Sequence, residues 1–108
     1  MAEELTARQQ TVDATVTEWP EVRAKPVFGH RGYVHNGKMF GFMADGGVAV
    51  KVRAGQDADE LYGLDGVHAF AHSGMEMRAW PVLPLRTEDE MEQALTALHS
   101  AFERATST

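Results

Sequence analysis

Five histidines, three serines and one dense run of acids are the groups with which this chain would hold a metal, attack a carbonyl or move a proton. His68 and His72 share one side of their strand if it runs unbroken, and His30 lies with His35 in the meander, yet no carboxylate has the tight spacing of a metal motif. His30 is expected as a hydrogen-bonded residue near the core, His35 as an exposed residue flanking a turn, and His99 on the surface of the last helix. Ser73, Ser100 and Ser107 lie in no nucleophile elbow and beside no base with its orienting partner. Glu88, Asp89, Glu90 and Glu92 open a helix, where the positive end of the helix dipole is reason enough for acids. The absence of cysteine excludes a disulfide framework, a thiolate metal site and a cysteine nucleophile. Gly29-His30-Arg31-Gly32 matches a bare G-x-x-G phosphate clamp, but such a clamp joins two helices and this segment reads as strand. Asp45-Gly46-Gly47 lacks the downstream lysine-serine pair of a phosphate loop. The expectation is no enzyme, no catalytic residue, no metal and no cofactor.

Binding chemistry is better represented. Residues 23–53 carry six cations against Asp45 alone, a balance of +5 that leaves −11 for the remainder of a chain whose net charge is −6. Within that stretch Asn36-Gly37 signals a two-residue hairpin turn with positive φ at both positions, and Asp45-Gly46 supplies a second. If both loops have two residues, Val34, Met39 and Val52, then Gly32, Gly41 and Val50, then His30, Met43 and Val48 form rows on one face. Met39, Met43, Val48, Val50 and Val52 are then expected beneath Leu95, Leu98 and Phe102 of the last helix. The opposite face gathers Arg31, Tyr33, His35, Lys38, Phe40, Phe42, Lys51 and Arg53 as a basic and aromatic interaction surface. A protein partner, most simply a second copy related by a two-fold axis, is expected to cover it. A single-stranded nucleic acid stacking on the aromatics, or a small molecule between sheet and helices, is the alternative. A register shift or bulge would instead bury these aromatics.

The elements that must position these residues read as helix, three strands, short helix, two strands, helix. Leu5, Val12, Val16 and Trp19 give a first helix ending before Pro20, interrupted by Gln9. The meander fills residues 27–53, a short helix covers Gln56–Tyr62, and strands follow near 67–71 and 75–83. Pro81 and Pro84 argue that the last strand is an edge or irregular. Thr87-Glu88-Asp89-Glu90 is a capping box for a closing helix with Met91, Leu95, Leu98 and Phe102 on one side, and the final four residues read as a frayed tail. At 108 residues with 44% hydrophobic content the pattern predicts a single domain over 1–108. Its class is α+β, a two-layer sandwich with an antiparallel sheet of about five strands and helices packed on one face. Neither a signal peptide nor a membrane-spanning run is visible, and a cysteine-free chain suits the reducing cytoplasm.

Val27-Phe28-Gly29-His30-Arg31-Gly32-Tyr33, Asn36-Gly37-Lys38-Met39-Phe40-Gly41-Phe42 and Asp45-Gly46-Gly47-Val48-Ala49-Val50-Lys51-Val52 together resemble the N-terminal domain of the TfoX/Sxy competence regulators. Met77-Arg78-Ala79-Trp80-Pro81-Val82-Leu83-Pro84 is similar to the final strand of that family, and the likeness covers roughly residues 12–105. YjbR-like proteins are a more distant resemblance, through the phenylalanine-rich strands and the lysine on the third. The resemblance implies an α/β two-layer sandwich like that of secretion chaperones, and an interaction or regulatory module. His30 stands where the family often has glycine, and the second, helical domain of the full-length regulators has no counterpart in these residues.

Overall fold

The computed structural model describes residues 5–53 and 55–107. Its elements are α1 (Ala7–Thr17), β1 (Val22–Val27), β2 (His30–His35), β3 (Lys38–Ala44), β4 (Gly47–Val50), α2 (Gln56–Tyr62), β5 (His68–His72), β6 (Met75–Pro84) and α3 (Glu88–Ser107). The strands form one antiparallel sheet in the order β1-β2-β3-β4-β6-β5. It is an α+β arrangement with six strands, one more than the sequence pattern predicts. The additional strand is β1, an outer strand that tolerates Arg23, Lys25 and Pro26. The sequence pattern starts its first strand at Val27, where the structure has a tight turn at Phe28-Gly29 with φ of 51° and 79°.

Both expected loops form. His35 pairs with Lys38 across Asn36-Gly37, whose φ values of 55° and 75° are those of a type I′ turn, and Ala44 pairs with Gly47 across Asp45-Gly46. Between them the register nevertheless shifts. Val34 faces Met39 but Tyr33 faces Gly41, so Phe40 is an extra residue in β3 and interrupts the alternation. Phe40 and Gly41 consequently both serve the helix side: Phe40 meets the Phe102 ring at 5.7 Å, and a Cβ on Gly41 would stand 2.5 Å from Leu98 Cδ2.

Two buried clusters flank the sheet. Tyr33, Phe40, Met43, Val48, Val50 and Leu83 pack with Val12 and Val16 of α1 and with Leu98 and Phe102 of α3. Phe42, Ala44, Ala49, Phe70 and Val82 pack on the other side, with Val27, Met39, Met77 and Trp80. The expected placing of Met43, Val48 and Val50 under α3 therefore matches, whereas Met39 belongs to the far side because the bulge lies between it and Met43. No helix is needed over the second cluster, because the sheet curls. Phe28, at the tip of the first hairpin, reaches Phe70 at 5.8 Å and His72 at 4.6 Å, although β1 and β5 are the two outermost strands.

Three ends are finished differently from the sequence pattern. Gln9, which breaks the apolar stripe of α1, is buried: its Nε2 donates to the carbonyls of Ala44 and Gly47 at 2.7 and 2.9 Å. Its Oε1 meanwhile accepts from Thr6 N, completing a capping box that the Thr6-to-Gln9 spacing encodes. At α3, Thr87 Oγ1 accepts from Glu90 N, but the Glu90 carboxylate reaches Arg86 rather than the Thr87 amide. The helix also continues to Ser107 with Ala105 buried, so the expected tail is helical; Thr108 lies outside the described residues. The strand β6, expected to be an edge or irregular, is an inner strand and irregular: its register against β5 jumps from Ala69–Pro81 to Phe70–Met77, while Pro84 pairs with Gly47 of β4.

Candidate functional site

The eight residues expected on one open face are distributed over four places. Arg31 and Tyr33 turn to α1, where both donate to Asp13 Oδ1, at 2.5 Å from Nε and 2.6 Å from the phenol. Burial, and then the bond to Asp13, push the Tyr33 phenol well above its ordinary value, and the same carboxylate raises Arg31 further. His35 is buried rather than exposed: its ring lies 4.4 Å from that of Phe102, and Nδ1 is 3.4 Å from the Glu21 carbonyl oxygen. Phe42 stands on the opposite face, fully buried among Phe70, Trp80 and Phe28. The physical reason for the division is the bulge at Phe40, together with the fact that β2 presents its odd-numbered residues to the helices.

Lys38, Phe40, Lys51 and Arg53 do come together. They line a cleft of about 650 Å³ whose other wall is the last two turns of α3, with Ser100, Ala101, Glu103, Arg104 and Ala105, so one acid stands among its cations. Backbone geometry builds it: Lys51 N donates to Phe40 O and Val52 N to Ala79 O, so residues 51–53 continue past β4 beside the bulge. Buried Phe40, Val52 and Ala101 supply an apolar floor and the cations a rim. Lys51 Nζ rests 5.3 Å from the Trp80 ring centre. Arg104 Nη2 donates to the Lys51 carbonyl at 2.7 Å, and its Nη1 lies 3.8 Å from Asp57 Oδ2. Arg53 Nε donates to that same oxygen at 2.9 Å.

A second cleft of about 640 Å³ runs between α2 and α3 and has the opposite rim, Asp57, Glu60, Asp89 and Glu92. The two share Val52, Ser100, Arg104 and no other lining residue, so positive and negative grooves adjoin along one helix. Arg104 and Asp57 were not among the expected site residues. Arg53 and Asp57 are four residues apart, but Arg53 precedes α2, so their pairing follows from the turn into that helix rather than from helical spacing; Arg104 lies too far along the chain for spacing to join it to Lys51.

Among the described residues no cluster of three or more histidine, aspartate or glutamate side chains is placed to hold a metal ion. His68 and His72 are on β5, and His72 is engaged with Phe28 and Phe70. Gly29 of the G-x-x-G pattern occupies a hairpin turn with φ of 79°, while a Cβ on Gly32 would stand 2.9 Å from the Lys25 carbonyl oxygen, so turn geometry accounts for the first and strand packing for the second. No helix of the described residues is long and apolar enough to cross a membrane. No protein-family model, no curated protein and no solved structure matches the chain.

Proposed function

We propose that this chain is a non-enzymatic interaction module of the TfoX N-terminal type, which docks an acidic segment of a protein partner in the cleft between the bulged end of β3 and the C-terminal turns of α3. The observation that carries this reading is the convergence of four cations, Lys38, Lys51, Arg53 and Arg104, against the single acid Glu103 around the apolar floor of Phe40, Val52 and Ala101. Such a cleft holds a carboxylate beside an aliphatic side chain. A regulatory or scaffolding role in the cytoplasm, of the kind competence regulators perform, is part of the same proposal. A single-stranded nucleic acid would need a row of accessible rings, and Tyr33, Phe40 and Phe42 are buried on two different faces, which favours a protein partner.

The test uses a fluorescent eight-residue peptide alternating glutamate and leucine, titrated into the whole protein at low and high salt. Wild type is expected to bind, and Lys38→Glu/Arg53→Glu is expected to bind at least about tenfold more weakly, with the difference shrinking as salt rises. Equal binding by both proteins would overturn the cleft as the docking site. Sedimentation at micromolar concentration, with and without these substitutions, establishes whether the partner is a second copy of the chain.

A further inference from the structure

Asp57 sits where the two grooves meet, and its place is unusual for a surface acid. One oxygen, Oδ2, faces Arg53 Nε at 2.9 Å and Arg104 Nη1 at 3.8 Å, so a single carboxylate is shared by two guanidinium groups of the basic cleft. The arginines differ in how firmly they are held. Arg104 is largely covered, at 27% side-chain exposure, and is tied to the Lys51 carbonyl, whereas Arg53 is 72% exposed. Asp57 itself rides on α2, a helix of seven residues attached to the sheet through the Tyr62 hydroxyl on the Arg78 carbonyl and the Arg78 guanidinium 4.5 Å from the Tyr62 ring.

We propose that Asp57 is an internal stand-in for the carboxylate of the docked partner: an acidic side chain of the partner takes over Arg53, and Asp57 releases it while Arg104 stays anchored on the main chain. This inference rests on the reading of the basic cleft given above. Displacement is inexpensive, since an exposed ion pair of this kind holds a competitor back by no more than about fivefold in affinity. The acids beyond Asp57, namely Glu60, Asp89 and Glu92, repel an anionic segment from the adjoining groove and so confine it to the basic one. Asp57 therefore lies on the boundary between an attracting and a repelling surface, and its charge sets the threshold at which a partner binds.

The experiment titrates the same glutamate–leucine peptide into wild type, Asp57→Asn, Arg53→Gln and the double variant. Asp57→Asn is expected to bind about two- to fivefold more tightly than wild type at low salt, and the gain is expected to vanish in the Arg53→Gln background. In the wild-type protein the Arg53 Nε–H resonance should move on peptide addition while that of Arg104 stays in place, a readout that needs no substitution. Wild-type binding with no gain, or a loss, in Asp57→Asn would overturn the stand-in and leave the cleft reading intact, because Asp57 would then only position the arginines. Failure of the wild type to bind the peptide overturns both. Tighter binding of a hexathymidine oligonucleotide than of the peptide would replace the protein partner by a nucleic acid.

Discussion

On one face of the sheet Tyr33, Phe40, Met43, Val48 and Val50 lie beneath α1 and α3; on the other, Phe42 and Ala49 are equally inaccessible with no helix in their cluster. The second face is closed by rings from distant strands, Phe28, Phe70 and Trp80, which converge on Phe42 because the sheet is curled. Aromatic side chains on a curved sheet thus do what an amphipathic helix does on a flatter one. The lesson is that a sheet face without a covering helix need not be an open face, and that the place for a partner must be sought where the covering stops.

If the two faces are equivalent cores, Phe42→Ala should cost about 3–5 kcal/mol in reversible urea unfolding, as much as a substitution under the helices. A loss below about 1 kcal/mol would mean that water already reaches the second cluster. Leu98→Ala on the helix side should cost about 2–5 kcal/mol. The two residues share no cluster, so the double variant should be additive within about 0.5 kcal/mol, and strong coupling would merge the two cores into one.

A finer contrast comes from Tyr33, the one ring on the helix face whose hydroxyl is bound to a carboxylate. Tyr33→Phe should cost about 1.5–3 kcal/mol near neutral pH. Because the folded phenol is held above its ordinary value of 10.0, its contribution is present below that pH and declines as pH rises beyond it toward the folded value. Stability curves of wild type and variant should therefore approach one another above pH 10, and absorbance at 295 nm should show Tyr33 ionising only with unfolding. The smallest effect belongs to Arg86, which hydrogen-bonds Glu90 and lowers its carboxyl below the ordinary value. The stability this pair adds exists above the usual carboxylate range and is lost as pH falls through the folded value, so any advantage of wild type over Arg86→Gln should close in acid.

What was legible in the sequence was local. Asn36-Gly37 and Asp45-Gly46 carry their φ requirements in their own chemistry, and α3 carries its apolar spacing, so both appear where expected. What was illegible depended on distance. The bulge at Phe40 brings Gly41 against Leu98, a contact between residues far apart in the chain, and no periodicity within β3 announces it. Phe28 occupies a left-handed turn position that asparagine or glycine would fill without strain, so the first hairpin has no turn signal. The cleft required Arg104 to meet Lys51, and although Lys38, Lys51 and Arg53 lie in the basic stretch that the charge pattern isolates, its fourth cation comes from the far end of the chain.

The curl of the sheet has a consequence for association of partly folded chains. A flat six-stranded sheet would offer two unpaired backbone ladders to any other strand, the template from which aggregates grow. Here β1 carries Arg23, Lys25 and Pro26 along its free side, and β5 is only five residues long and drawn toward the Phe28 turn. Charge and a missing amide guard one ladder, while brevity and curvature guard the other. The ring contact between Phe28 and His72, two residues at the surface rather than in the core, therefore bears on association as well, and a chain that loses it is expected to present β5 more readily to strand addition.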